Sequence, residues 1–180
     1  RFVLLGGAPA SPSLIRACEQ RDVPVYPTYG LTETASQVAT ATPAEAFAHP
    51  GTVGRPLAGT RVTVLGEDGT EQPARTKGEL VVSGPTVTSG YLDGDREAFG
   101  PHGFYTGDRG YVDTAGRLWI TGRVDDVIVS GGENIRPATV EAAVASHPAV
   151  ADVTVVGLAD PDLGERVGAL VVLEDGTATK

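Results

Sequence analysis

The chain has 180 residues, 41% of them hydrophobic, enough to bury one large or two small cores. Its 14 Lys and Arg against 23 Asp and Glu leave a formal charge of -9, which repels a phosphate backbone or an anionic bilayer and removes nucleic acid and membrane surfaces from the expected partners. Cys18, the single cysteine, rules out an intrachain disulfide framework and points to a reducing, cytoplasmic setting.

Phe2 to Leu5 reads as an apolar strand already in progress, and with no Met in the chain its natural beginning is expected to be missing. The strand runs into Gly6-Gly7-Ala8-Pro9. Ser11 then caps a helix over roughly Pro12 to Gln20, with Pro at its first position and Leu14, Ile15 and Cys18 on one face. Val23 to Tyr26 is the next strand, and this order predicts an α/β layer over residues 1–50.

From Gly51 the texture changes to short alternating strands at Arg61 to Leu65, Glu79 to Ser83, Arg109 to Val112 and Leu118 to Thr121. Turns at Gly66-Glu67-Asp68-Gly69 and Thr114-Ala115-Gly116 separate them, which predicts an antiparallel β unit over 51–122. Beyond it, a strand at Val127 to Val129, a helix from about Pro137 to His147 and strands at Val153 to Val156 and Val167 to Leu173 predict a small α+β lobe over 127–180. That helix would face Val140, Ala143 and Val144 inward. No apolar run reaches membrane-spanning length, since Ala149 to Ala159 is broken by Asp152 and Gly157. No signal peptide is visible. The acid excess fits adaptation to high salt and a plain solubility role equally well.

Tyr29-Gly30-Leu31-Thr32-Glu33-Thr34 fits neither a clean strand nor an amphipathic helix. A Thr hydroxyl beside a Glu carboxylate suits a phosphate oxygen and its Mg²⁺, and the neighbouring Tyr ring suits a purine. A helix N-terminus capped by Thr32 accounts for the same residues. Asp108, in Tyr105-Thr106-Gly107-Asp108, could accept from both hydroxyls of a ribose or be an ordinary turn residue. Arg123, in Gly122-Arg123-Val124-Asp125-Asp126, could serve the same ligand or a surface ion pair. Ser130-Gly131-Gly132-Glu133-Asn134 reads as a backbone-lined channel or as a tight loop before a helix.

In this order and at these intervals, those segments together with Gly78-Glu79-Leu80 and Gly90-Tyr91 resemble the adenylate-forming superfamily of acyl-CoA synthetases, luciferases and adenylation domains. The resemblance covers essentially the whole chain. It implies an α/β fold with a β-rich part: the end of a large N-terminal lobe over 1–122, a hinge at 123–126 centred on Asp125, and the start of a small C-terminal lobe over 127–180. The implied activity joins a carboxylate to ATP and passes the acyl group to CoA, with Mg²⁺ as cofactor.

The implied roles follow residue by residue. Gly6, Gly7, Ala8 and Pro9 line the adenine and acyl site, and Tyr29 and Gly30 flank the adenine. Thr32 contacts phosphate, Glu33 holds Mg²⁺, and Asp108 with Arg123 grips the ribose. Gly131, Gly132, Glu133 and Asn134 border the pantetheine tunnel. Thr34 to Thr40, followed by Thr42-Pro43, is most similar to the o-succinylbenzoate-CoA ligases of menaquinone synthesis, which would set Ser36 and Gln37 against the acid. Other aryl- or fatty-acyl-CoA ligases, and a non-catalytic nucleotide-binding module of the same fold, stay open, as does homo-oligomer formation.

Two elements of the family pattern are absent from these residues: a Ser/Thr/Gly-rich phosphate loop and a lysine in Gly-Lys context. The only lysines are Lys77 and Lys180. The chain is therefore expected to be the middle of a longer enzyme, inactive alone, whose partners are a small carboxylate, ATP, CoA and the remainder of its own polypeptide.

Overall fold

The computed structural model describes residues 2–92, 94, 96–124, 126–174 and 178–179. They fall into two compact units, Arg1–Thr121 and Gly122–Lys180.

In the first unit, strand β1 (Val3–Leu5) leads through the glycine pair to helix α1 (Pro12–Glu19). Ser11 accepts the Leu14 N–H at 3.2 Å, and Pro12 occupies a position where no N–H is needed. Strand β2 (Val25–Leu31) returns parallel to β1, Val3 opposite Val25. A single 3-10 turn, Thr32–Thr34, reverses the chain into β3 (Ser36–Thr40), antiparallel to β2. Helix α2 (Pro43–Ala48) and strand β4 (Arg55–Pro56) complete this layer, whose sheet runs β1-β2-β3-β4. Ile15, Val25, Ala41 and Ala46 form its buried centre, with Cys18 packed against them. Leu14, expected on that inward face, is 46% exposed instead, because it sits one residue round the helix from Ile15.

A second sheet holds β5 (Arg61–Leu65), β6 (Gly78–Ser83), β7 (Phe99–Gly100), β8 (Gly103–Val112) and β9 (Leu118–Arg123). Its order is β5-β6-β8-β7, with β9 also on β8. Leu80, Leu118 and Val64 close against Ala39 of β3, so one apolar cluster joins the two sheets of this unit. The strand read as Arg109 to Val112 is in fact ten residues long. Tyr105 to Asp108 therefore lies inside a strand rather than at the end of one, at an irregularity where pairing with β6 is interrupted between Tyr105, opposite Val81, and Arg109, opposite Glu79, and Gly107 takes a φ of 67°.

The second unit carries β10 (Ile128–Ser130), β11 (Glu133–Ile135), α3 (Pro137–Ala145), β12 (Val150–Asp160), β13 (Gly164–Leu173) and β14 (Ala178–Thr179). Its sheet runs β11-β10-β13-β12, with β14 on β13. Ile128 and Val155 are its buried apolar residues among those described. Helix α3 buries none of its side chains, and Ala143, expected inward, is exposed.

Candidate functional site

Three features place the residues around the Thr32–Thr34 turn. The β2–β3 register slips between Tyr29, opposite Ala39, and Gly30, opposite Gln37, so β3 carries one extra residue, Val38, and pairing continues through Leu31 and Ser36 up to the turn. Gly30 there lies against the Ser36 carbonyl, where any added Cβ would overlap backbone. Thr34 is fully buried, and its hydroxyl accepts the Leu31 N–H at 3.0 Å while facing the Leu31 and Ser36 carbonyls at 3.0 and 3.1 Å. Capping is thus done by Thr34 from within the turn. Thr32, the expected cap, is exposed. After the turn, Ala35 and Ser36 take positive φ values of 51° and 99°, which non-glycine residues seldom adopt.

The result is an open groove of about 670 Å³. Gly6 and Gly7, between β1 and α1, face Gly30, Thr32, Ser36 and Gln37 across it. Six residues singled out by motif therefore share one surface. Ala8 and Pro9 lie exposed just beyond, leading to the Ser11 cap.

Two carboxylates border this segment, and each meets a tyrosine distant in sequence. Tyr29 Oη donates to Asp108 Oδ2 at 2.6 Å, bringing the expected adenine and ribose residues together across 79 positions. Asp108 is fixed from behind as well: its N–H donates to Thr106 Oγ1 at 3.0 Å, and that buried hydroxyl donates to the Leu80 carbonyl at 2.8 Å. On the other side, Tyr91 Oη donates to Glu33 Oε1 at 2.6 Å. The Thr88 N–H also donates to the Glu33 carbonyl at 2.8 Å. Motif reading missed Thr106 and both tyrosine–carboxylate pairs; the available signal was that Thr106 and Tyr91 sit inside segments already singled out.

Among the described residues no three His, Cys, Asp or Glu side chains gather into a metal-binding cluster. Side chains alone thus supply no cage. One carboxylate completed by water and triphosphate oxygens is, however, a coordination that Mg²⁺ accepts. Glu33, held on one oxygen and receiving no hydrogen bond on Oε2 among the described residues, fits that requirement.

In the second unit, Gly131 and Gly132 form a two-residue hairpin between β10 and β11, with φ values of 58° and 87° and Ser130 paired to Glu133. Both φ values are positive, which is the geometry glycine supplies for such turns. The backbone of this stretch is a tight reversal that leads into β11 and then α3. Glu133 and Asn134 are exposed. Arg123 ends β9, exposed, and belongs to this unit. Asp125 lies outside the described residues.

With this geometry in place, comparison with known proteins identifies the chain. Residues 1–92, just over half of it, match the AMP-binding enzyme model, and residues 139–180 match the AMP-binding enzyme C-terminal domain. The chain belongs to the AMP-binding enzyme family. It is 43% identical over 183 aligned positions to the 2-succinylbenzoate–CoA ligase of Bacillus mycoides (strain KBAB4), covering 100% of this chain and 38% of that protein. Among solved structures it resembles the o-succinylbenzoate coenzyme A synthetase of Bacillus subtilis in complex with ATP and magnesium ion, with a TM-score of 0.84, 38% identity, and 97% of this chain aligned to 37% of that one. The same synthetase in complex with its acyl-adenylate intermediate aligns with a TM-score of 0.84 and 38% identity, over 97% of this chain and 36% of that one. The chain thus spans well under half the length of these relatives. No helix among the described residues is long and apolar enough to cross a membrane.

Proposed function

We propose that the chain is part of an ATP-dependent acid–CoA ligase that activates a carboxylate, o-succinylbenzoate, as its acyl-adenylate and then forms the CoA thioester. The observation that carries this reading is the groove in which Gly6, Gly7 and Gly30 leave backbone open beside Thr32, Ser36 and Gln37, with Glu33 next in the chain after Thr32. The named relatives support the choice of acid. In this reading residues 1–122 are the end of the large lobe, 123–126 the hinge and 127–180 the start of the small lobe.

In the first half-reaction an acid oxygen bonds to the α-phosphorus of ATP while the bond to pyrophosphate breaks; in the second the CoA sulfur bonds to the acyl carbon and AMP leaves. The chain's own contribution is orientation and placed charge. Asp108 accepts from the ribose hydroxyls, with Tyr29 fixing one of its oxygens, and Arg123 serves the same sugar. Tyr29 and Gly30, with Gly6 to Pro9, flank the adenine, while Thr32 donates to phosphate. Glu33 is the protein ligand of Mg²⁺, which when bound neutralises charge on the triphosphate. Ser36 and Gln37 address the second carboxylate of the acid, and Gly131 to Asn134 border the path of the pantetheine arm.

The test is thioester formation from o-succinylbenzoate, ATP and CoA by the full-length protein. Asp108→Ala should weaken ATP binding by roughly 1.5–3 kcal/mol, the value of a hydrogen bond to a charged group. Parental ATP affinity in that variant would remove Asp108 from the site. The isolated 180-residue chain, which has no Gly-Lys lysine, should form no thioester, and turnover near the parental rate would refute that. Asp125→Pro should spare adenylation and slow CoA transfer at least about tenfold, since proline fixes φ where domain rotation needs it free. Equal loss in both single-turnover steps rules out the hinge.

A further inference from the structure

Glu33 is gripped by a stretch of chain, Thr88 to Tyr91, to which the proposed function gives no role. The Thr88 N–H takes its carbonyl, and the Tyr91 hydroxyl takes its carboxylate at 2.6 Å, a length typical of a charge-assisted O–H to carboxylate bond. Thr88 Oγ1 also donates to the Gly90 carbonyl at 3.2 Å, bracing the bend that delivers Tyr91. The Tyr91 ring stands edge-on to Phe99 with centroids 5.7 Å apart, and Phe99 lies 5.2 Å from Phe104, a buried residue of β8. The phenol is therefore tied through two rings to the core of the second sheet.

We propose that Tyr91 is a positioning residue for the metal: by engaging Oε1 it restricts the side-chain torsions of Glu33 and leaves Oε2 to the cation. The inference rests on the reading of Glu33 as the metal's protein ligand. A free glutamate has three torsions to order when a cation arrives, whereas one already hydrogen-bonded has fewer. Partners that orient a ligating group in this way typically change metal affinity 10–100-fold when removed. Tyr91 is 42% exposed, which places the expected effect at the low end of that range.

The experiment titrates Mn²⁺, a paramagnetic stand-in for Mg²⁺, by electron paramagnetic resonance into full-length protein holding a non-hydrolysable ATP analogue. Tyr91→Phe should weaken Mn²⁺ about tenfold, with metal-free nucleotide affinity and melting temperature unchanged, because phenylalanine keeps the ring against Phe99. Glu33→Gln should weaken Mn²⁺ more, and adding Tyr91→Phe to it should cost nothing further. Parental Mn²⁺ affinity in Tyr91→Phe with a loss in Glu33→Gln overturns the role of Tyr91 and leaves that of Glu33. An undiminished second loss in the double variant overturns it too. Parental affinity in both single variants overturns the metal reading of Glu33 and this inference with it.

Discussion

The segment Gly30 to Gln37 and the hairpin Ser130 to Glu133 both reverse the chain within a few residues, and they hold their shapes by opposite means. In the first, surroundings decide: Gly30 against the Ser36 carbonyl, Thr34 buried with both flanking carbonyls in reach, and Thr88 and Tyr91 attached from another part of the unit. In the second, two glycines turn the backbone by their own torsions, and nothing lies within 4 Å of a Cβ added at Gly132. A shape imposed from several sides is preorganised and suits fixed contacts to a small ligand. A shape written into its own dihedrals asks less of its neighbours, although the Gly131 N–H still donates to the Leu163 carbonyl at 2.9 Å.

Substituting the two glycines breaks this comparison most forcefully. Gly30→Ala pushes a methyl into the Ser36 backbone, and a loss of about 4 kcal/mol or outright misfolding is expected. Gly132→Ala meets open space and pays only for its positive φ, about 1–2 kcal/mol. Denaturant melts of the two variants measure both, and losses of similar size would erase the distinction.

A third reversal, at Asp113 to Arg117, sharpens the comparison by showing a turn fixed by charge. Asp113 Oδ1 accepts the Ala115 and Arg117 N–H groups at 2.8 and 3.0 Å, and Oδ2 accepts Arg117 Nε at 2.8 Å and Trp119 Nε1 at 3.3 Å. Burial alone would raise its pKa; the Arg117 donors, then Trp119 and Ala115, outweigh burial and hold the carboxyl well below the usual range. A depressed folded-state pKa means that the stabilisation is complete above the unfolded value of about 3.9 and disappears as pH falls from there toward the folded value. Asp113→Ala should cost about 3 kcal/mol at pH 7, and acid titration of its stability should lose the steep limb below about pH 4. An unchanged acid limb would mean that other carboxylates carry it.

Thr34→Val is the gentlest probe of the first segment. It keeps the volume and removes the hydroxyl, leaving the Leu31 N–H without its acceptor, at a cost of about 2 kcal/mol. Nucleotide affinity should fall alongside, since Thr32 and Glu33 share the turn; stability lost with nucleotide affinity retained would uncouple the turn from the site.

How legible these features are in the sequence follows from how far apart their determinants lie. The Ser11-Pro12 helix start, the Thr114-Ala115-Gly116 turn and the strand Arg61 to Leu65 depend on neighbours, and reading the residues finds them. Helix α2 carries an equally local signal, Thr42 and Glu45 capping each other, in a segment of six residues too short to show a helical period. The full length of β8 depends on β6 and β9, so Gly107-Asp108, where pairing with β6 is interrupted, looks like a turn until the ladder on either side of it is seen. Strand β3 pairs with the neighbouring β2, but the turn before it takes positive φ at Ala35 and Ser36, with no glycine to announce it. The motif residues of the groove could be named singly from family likeness. That Tyr29 would meet Asp108, or Tyr91 meet Glu33, was hidden because each pair spans a long loop of chain.

Ser36, at φ 99°, occupies a backbone conformation that glycine tolerates far better. Replacing it with glycine should raise the melting temperature by a few degrees, relieving strain worth about 1 kcal/mol. The same change deletes the hydroxyl of a residue that lines the groove, so under the proposed function the sturdier protein would bind its acid less well. Under that proposal this one position sets thermal robustness against acid binding, and an engineer selecting variants by heat resistance alone would be led toward the weaker binder.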